Sequence, residues 1–287
     1  MKCKMIEEAR ATGRGNMFVL EILKAIVLFA VVTLIVQVAS SLIIILAGGL
    51  HNEVISTAGF LWGQIFGIAL MILYCRFLEK RPVSSVGFIK NGFWKQYLKG
   101  LGVGFGMFAA VVIIGTALGA FRFVGFNKSV NFGVLLLFLG GFMIQGMYEE
   151  VFCRGYMMVS IARKSSVIVA IVINSLAFAL MHAANNGFSL LAFINLMLFA
   201  IFVSLYTIKT DNIWAVGALH SIWNFSQGCI YGLSVSGMEV LPTLFVFEST
   251  DNLLANGGAF GPEGGYVVTC VLIVEIAALL IPALKKK

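Results

Sequence analysis

Charged residues are scarce in this sequence, and the few that occur separate long apolar stretches. Only 11% of the 287 residues are charged, whereas 60% are hydrophobic. A soluble domain of this length needs a charged surface around a single core, so this composition excludes a soluble globular protein. The sequence therefore predicts an all-α integral membrane protein that is embedded in a lipid bilayer.

Other sequence features are also missing, and most of these absences argue against a class of protein or site. The basic residues form no stripe interleaved with aromatics, so the net charge of +7 does not indicate nucleic-acid binding. The five cysteines lack paired spacing and say little about redox compartment. No internal repeat is visible, which argues against a transporter built from inverted repeats. No His-Glu-x-x-His sequence occurs, so the helix of the zincin metalloproteases is not indicated.

The apolar stretches predict about eight crossings, since each crossing needs about 20 apolar residues. The first stretch is too long for a signal-peptide core and is expected to be a retained helix. We expect a bundle of about eight transmembrane helices that encloses a polar intramembrane cavity. The predicted segments are Met17–Gly49, Thr57–Phe77, Gly100–Phe121, Phe132–Met158, Val167–His182, Phe188–Ile208, Ile213–Tyr231 and Tyr266–Leu284.

The distribution of basic residues predicts the topology. Most of the 20 lysines and arginines lie in alternate loops, including both ends of the chain. Because such residues are retained on the cytoplasmic side, both termini are predicted to be cytoplasmic, and in a prokaryote the membrane is the plasma membrane. Residues 1–16 are predicted to form a mobile cytoplasmic tail, and residues 17–287 a single polytopic membrane domain. The Gly-rich stretch 232–265, with its apolar patch Leu241–Phe247, is predicted to be an ordinary extracytoplasmic connection rather than a re-entrant loop.

Polar side chains inside the predicted segments mark the candidate site. An ionisable group at the centre of a membrane helix costs at least about 2.5 to 3.5 kcal/mol, so a cluster of them must face protein or water. The fourth, fifth and seventh segments carry such groups. They are Glu149, Glu150 and Arg154 in the fourth segment, His182 with Phe178 in the fifth, and His220 with Asn224 in the seventh.

The spacing of the acidic pair predicts a division of labour. Residues four apart share one face of a helix, which predicts a contact between Glu150 and Arg154. Adjacent Glu149 and Glu150 point about 100° apart. One glutamate can therefore face a reaction centre while the arginine holds the other. The same four-residue spacing predicts an aromatic ring, Phe178, beside the His182 imidazole.

These groups suit hydrolysis of a peptide bond by activated water. A desolvated carboxylate is a competent general base, and a nearby imidazole can relay the proton. An amide and a second imidazole can donate hydrogen bonds to a developing oxyanion. Zinc held by Glu149, His182 and His220 is an open alternative, because this ligand set suits the metal. The same polar groups would also suit a proton-coupled transporter or a non-catalytic binding or immunity protein.

Three motifs carry a family resemblance. The sequences Glu149-Glu150-x-x-x-Arg154, Phe178-x-x-x-His182 and His220-x-x-x-Asn224, in this order, resemble the CAAX-protease and bacteriocin-processing (CPBP, or Abi) family of intramembrane endopeptidases. This family includes the Ras-converting CAAX endopeptidase, and the resemblance covers about residues 95–232.

The resemblance implies a fold, a mechanism and a class of substrate. The fold is an eight-helix bundle around a conical cavity. In the implied mechanism Glu149 and His182 activate water, His220 and Asn224 form the oxyanion site, and the remaining motif residues support them. This glutamate mechanism requires no cofactor, although the family is often labelled metalloprotease. The implied substrate is a membrane-associated, lipidated or secreted peptide or protein, and the oligomeric state is left open.

Overall fold

The computed structural model describes residues 3–49, 51–239 and 242–284 of the chain. Four of the lysines used to predict the topology lie outside these residues, namely Lys2 and Lys285–Lys287. Leu241 of the predicted apolar patch also lies outside them. The elements, in chain order, are α1 (Lys4–Ala11), α2 (Phe18–Leu46), α3 (Glu53–Gly63), α4 (Ile65–Leu73), α5 (Phe93–Ala117), β1 (Phe121–Phe126), α6 (Phe132–Glu150), α7 (Val159–Ala162), α8 (Val167–Met181), α9 (Leu190–Thr210), α10 (Ile213–Phe225), β2 (Phe245–Ser249), α11 (Leu253–Asn256) and α12 (Tyr266–Leu284).

Wider π-helical turns extend three of these helices. They are Tyr74–Leu78 after α4, Val151–Met158 between α6 and α7, and Ser226–Ile230 after α10. Short 3₁₀ turns occur at Val83–Val86, Gly258–Phe260 and Pro262–Gly264. Each of the eight predicted segments contains a helix, and the predicted all-α class is confirmed.

Several of the helices are suited to a bilayer. Among the described residues, five helical stretches are long and apolar enough to cross a membrane: Phe18–Leu46, Glu53–Leu78, Phe93–Ala117, Phe132–Ala162 and Leu190–Thr210. Large apolar side chains such as Leu34, Val38 and Leu42 of α2 are exposed, a pattern that lipid solvates and water does not. The fold is thus that of a helical membrane protein. The number of eight crossings and the enclosed polar cavity stay predictions.

The chain forms two compact units. The first takes in the described residues of Met1–Gly102, Leu137–Asn174 and Thr207–Ile222. The second takes in those of Val103–Leu136, Ser175–Tyr206 and Trp223–Lys287. The predicted division into a tail (1–16) and one membrane domain (17–287) stays a prediction.

Small residues allow helices of the first unit to pack closely. A Cβ atom added at Gly63 of α3 would overlap Ser40 of α2, and one added at Gly59 would overlap Ile44. Close backbone approach between small residues is the usual basis of helix association in membranes, where apolar burial gives little driving force. The glycines of α3 therefore fix its packing on α2.

The amino-terminal segment of the first unit is the helix α1, and the prediction of a mobile tail is wrong for residues 4–11. Met5, Ile6 and Ala9 are buried. The Asp211 carboxylate accepts hydrogen bonds from the backbone N–H groups of Lys4 and Met5, both at 3.0 Å. It thereby satisfies donors that have no partner within the helix. This cap could not be predicted from sequence patterns because Asp211 lies 207 residues from Lys4 along the chain.

A buried network of charges joins α2 to the end of α7 in the first unit. Glu79 accepts hydrogen bonds from Lys24 (2.7 Å), Arg81 (3.1 Å) and Arg163 (2.9 Å), and Lys24 also pairs with Glu21. Burial acts to raise the pKa of Glu79, but the charge of Arg81, the hydrogen bond from Lys24 and the charge of Arg163 outweigh it and lower that pKa. Glu21 and Lys24 thus belong to one ion-pair network with Glu79, Arg81 and Arg163.

A two-stranded antiparallel sheet in the second unit was not predicted. β1 pairs with β2, with Phe121 opposite Ser249 and Phe126 opposite Phe245, and a bulge lies between Phe123 and Gly125. The third predicted segment extended to Phe121, but α5 ends at Ala117. Gly119 follows in a left-handed conformation (φ 72°), which ends the helix. The stretch 232–265 supplies the second strand of this sheet.

Candidate active site

Glu149 and Glu150 are the last two residues of α6, and a π-helical turn begins directly after them. The helical stretch continues through Val151–Met158 in π geometry and then through α7. Interruptions of this kind are uncommon and occur often at functional sites. The apolar pattern predicted a regular α-helix over this stretch. A π turn gives no signal in such a pattern, so this departure could not be foreseen.

Glu150 forms a fully buried ion pair with Arg154, as the four-residue spacing predicted. Arg154 Nη1 donates to Glu150 Oε1 at 3.0 Å, and both side chains have 0% exposure. Each of these two buried charges stabilises the other, because either one alone would carry a large desolvation cost. The predicted contact is confirmed. The supporting role assigned to the pair stays a prediction.

His220 contacts both glutamates, which its sequence spacing did not predict. Its Nδ1 lies 2.8 Å from Glu150 Oε1, and its Nε2 lies 3.7 Å from Glu149 Oε2. An ionised carboxylate only accepts hydrogen bonds, so Nδ1 of His220 is protonated and donates a hydrogen bond to Glu150. This bond fixes the orientation of the ring and leaves Nε2 directed at Glu149.

Glu149 is more accessible than its neighbour. Its side chain is 16% exposed, whereas that of Glu150 is 0% exposed. Gln145, one helical turn earlier on α6, donates from Nε2 to Glu149 Oε1 at 2.5 Å. Among the described residues, no hydrogen bond reaches the other carboxylate oxygen, Oε2. Gln145 was missed from sequence, although its spacing of four from Glu149 was a usable signal.

Close packing of α10 on α6 brings His220 to the glutamates within the first unit. A Cβ atom added at Gly146 would overlap the backbone and hydroxyl of Ser221, and one added at Gly217 would overlap the Met147 side chain. The Ser221 hydroxyl also donates to the carbonyl oxygen of Met143 at 3.2 Å. Gly217 and Ser221 are separated by four positions, a pattern typical of close helix contacts in membranes.

Phe178 and His182 form a pair in the second unit. His182 follows the last residue of α8, and its ring centroid lies 4.9 Å from that of Phe178 at an interplanar angle of 47°. The predicted contact between this aromatic ring and the imidazole is confirmed. His182 Nδ1 lies 2.9 Å from the carbonyl oxygen of Phe178. A carbonyl oxygen only accepts, so Nδ1 donates, and the neutral ring keeps its lone pair on Nε2, the form that a general base needs.

Asn224 lies on α10, four positions after His220, and is buried with 4% exposure. It belongs to the second unit, together with Phe178 and His182. Glu149, Glu150, Arg154 and His220 are brought together in the first unit. That all of these residues act around one water molecule stays a prediction.

A zinc site is the open alternative to a metal-independent glutamate base. Across residues 3–49, 51–239 and 242–284, no group of three or more His, Cys, Asp or Glu side chains could hold a metal ion. Glu149 and His220 lie in the first unit and His182 in the second, so zinc held by these three residues stays an open alternative.

Apolar helices long enough to cross a bilayer indicate an integral membrane protein. Its first unit contains a largely buried polar cluster of two carboxylates, an arginine and one imidazole. Residues 130–226 match the model of a protein family described as type II CAAX prenyl endopeptidase Rce1-like. The match includes all three sequence motifs and confirms the predicted resemblance over a range narrower than 95–232. Over these residues the chain is similar to the type II CAAX prenyl endopeptidases of this family. No curated protein matches the chain.

Proposed function

We propose that the protein hydrolyses a peptide bond of a membrane-associated, lipidated or secreted peptide, with water activated by Glu149 and His182. The family match over residues 130–226 supports an endopeptidase rather than a proton-coupled transporter. In this proposal both termini lie in the cytoplasm, and the substrate reaches the site from the membrane.

The contrast between the two adjacent glutamates is the observation that carries this proposal. Glu150 is enclosed by Arg154 and His220, so its charge is already balanced and no substrate can reach it. Glu149 is partly exposed and held by Gln145 through only one oxygen. In the described part of the chain, Oε2 of each glutamate has no hydrogen-bond partner, so exposure is what separates them. A general base needs an oriented carboxylate whose side chain water can reach. Glu149 meets this requirement, and Glu150 does not.

The proposed reaction conserves every proton. Glu149 accepts a proton from water, with His182 Nε2 as the relay, while the water oxygen attacks the peptide carbonyl carbon. The carbonyl oxygen becomes an oxyanion that Asn224 and His220 stabilise by hydrogen bonds. This role requires His220 to donate from Nε2 as well as Nδ1, so the ring is then doubly protonated. The C–N bond breaks as the leaving amine takes up the proton held by the base.

The neighbouring glutamates suit the charged state of His220 in this scheme. Two carboxylates lie within 3.7 Å of the ring nitrogens. Each carboxylate can accept a hydrogen bond from the ring nitrogen that faces it. Glu150 therefore acts through His220 in this proposal, and Arg154 keeps Glu150 in place.

Comparison of membrane peptides tests the function and identifies the substrate. Cells producing the native protein and cells producing the Glu149→Gln variant are compared by mass spectrometry of their membrane and secreted peptides. We expect a defined set of cleaved carboxyl-terminal or processed peptides that depends on Glu149. Identical peptide sets in both cells would reject the protease proposal and favour a binding or immunity protein.

Chelation separates the glutamate mechanism from a zinc mechanism. We expect cleavage of a reconstituted prenylated peptide to continue after dialysis against a strong chelator, because the proposed base is a carboxylate and not a metal-bound hydroxide. The metal content of the dialysed protein is measured in parallel. Loss of cleavage that added zinc alone restores would contradict the proposed mechanism.

A further inference from the structure

The loop that follows His182 is anchored to a distant part of the chain. Within the second unit, the backbone N–H of Asn185 donates to the carbonyl oxygen of His182 at 3.0 Å, which closes a tight turn. The Asn185 side chain then donates to the carbonyl oxygen of Ser236 at 2.9 Å. The position of the His182 backbone is thus tied to that of Ser236.

Ser236 lies in a tight turn that fits against this loop. Val235 and Met238 exchange backbone hydrogen bonds of 2.8 and 2.9 Å, with Ser236 and Gly237 between them. Both central residues have positive φ, 46° and 86°, a conformation that is unfavourable for serine. A Cβ atom at Gly237 would overlap the backbone of Asn186, so turn and loop are in direct contact.

The Glu263 carboxylate holds the strained serine in place. Its Oε2 accepts hydrogen bonds from the backbone N–H of Ser236 at 2.8 Å and from the Ser236 hydroxyl at 2.6 Å. Gln227 Nε2 lies 3.4 Å from the same oxygen. Hydrogen bonds to a charged acceptor are stronger than neutral ones, and these offset the backbone strain of the turn.

The backbone of Glu263 is fixed in turn by α9. Asn195 Nδ2 donates to the carbonyl oxygens of Glu263 (2.8 Å) and Gly265 (2.9 Å). The Thr269 hydroxyl of α12 donates to Asn195 Oδ1 at 2.6 Å. Glu263 is buried, with 9% exposure, although its place between apolar segments is typical of a solvated loop charge. The carboxylate is therefore a rigid support rather than a solvated surface group.

We propose that Glu263 is a positioning residue for His182, acting through Ser236 and Asn185 to hold the loop after α8 in the geometry that the reaction needs. The expected loss of reaction rate rests on the proposed peptidase function. The expected displacement of His182 does not depend on that function. Small displacements of a reacting group have large effects, since a misplacement of about 1 Å can lower a rate about 100-fold.

The chain offers a test that does not depend on peptidase activity. It contains three histidines, of which His51 is exposed, His220 is buried and His182 is half-buried. Diethyl pyrocarbonate modifies accessible neutral imidazoles, and mass spectrometry reports the rate at each histidine separately. In the Glu263→Ala variant we expect the modification rate of His182 to change several-fold, with the rate of His51 unchanged. Peptide cleavage should lose about tenfold or more in kcat, with KM nearly constant.

Matched variants keep the inference falsifiable. Glu263→Gln retains an acceptor oxygen and should restore most of the native His182 rate, whereas Ser236→Gly keeps the backbone conformation and loses only the hydroxyl bond. Glu239→Ala removes an exposed acid of the same loop and should leave His182 unaffected.

An unchanged His182 rate in Glu263→Ala, in a protein that keeps its native melting temperature, would overturn the inference. If Glu263→Ala fails to fold, a native His182 rate in Asn185→Ala, which loses the hydrogen bond to the Ser236 carbonyl oxygen, would do so instead. If the native protein cleaves no peptide, the peptidase proposal is rejected. The modification rates of His182 then still decide whether Glu263 positions His182.

Discussion

Replacement of Glu149 by glutamine is expected to lower kcat for peptide cleavage by about 10²- to 10⁴-fold, the range expected when a general base is lost. Glutamine has nearly the same shape but cannot accept a proton from water. The hydrogen bond from Gln145 can persist to the amide oxygen of the variant, so the side chain should keep its position. Rates are measured on purified protein in proteoliposomes, with the cleaved peptide quantified by mass spectrometry.

Glu275→Gln is the control for this variant. Glu275 is an acidic residue of another apolar helix, α12, and has no role in the proposed reaction. Its replacement should leave kcat and KM near the native values. The melting temperature of both variants in detergent shows whether a loss of rate reflects a loss of fold. Native activity in a folded Glu149→Gln protein would remove Glu149 from the mechanism.

Replacement of Arg154 by methionine is expected to have the largest effect on stability. The change removes one partner of a pair in which neither side chain is exposed and leaves the Glu150 carboxylate without its cation. Breaking a buried ion pair from one side costs about 3 to 5 kcal/mol. The loss is measured as a shift of the denaturant midpoint in detergent, at constant lipid and pH.

Two further variants separate the buried pair from a general effect of charge. Glu150→Gln combined with Arg154→Met removes both charges and should recover part of the lost stability, since no unpaired ion remains. Arg122 pairs with Glu248 across the sheet, where both side chains are exposed, at 73% and 50%. Arg122→Met should therefore leave the midpoint almost unchanged. Equal destabilisation by Arg154→Met and Arg122→Met would contradict the role given to burial.

The helical framework could be read from hydropathy because lipid imposes a simple constraint. A crossing needs a long apolar run with internally paired backbone groups, so composition alone locates the helices. α2 and α6 begin within one residue of their predicted starts at Met17 and Phe132. The sheet escaped prediction because β1 and β2 are paired across more than a hundred intervening residues, which no local pattern reports. The same reason hid the Asp211 cap of α1.

The candidate site was predictable where its contacts follow helix spacing. The contacts Glu150 to Arg154 and Phe178 to His182 are both four residues apart and were anticipated. The contact of His220 with Glu150 joins two helices and was not anticipated. Sequence can show that polar groups are present in apolar segments. The partner that each one meets depends on how the helices pack, and here on glycines at the contact between α6 and α10.

Glu263 illustrates the limit of charge counting. An acidic residue in a loop between apolar segments is ordinarily solvated, and its position is only a weak sign of topology. In the structure its carboxylate is buried and bonded to Ser236, whose positive φ gives no signal in the sequence. A role of this kind depends on backbone conformation, which apolar pattern and spacing do not determine.

The most direct test of the account is the kinetics of the double variant that combines Glu149→Gln with His182→Ala. The central claim is that these two side chains act on the same water molecule in one step. If so, the double variant should be no slower than the slower single variant. Once one of the two side chains is removed, removing the other should not lower the rate of this step further. Long incubations with mass-spectrometric detection measure the residual kcat/KM of all three proteins. Losses that multiply in the double variant would show that Glu149 and His182 act independently and would contradict the account.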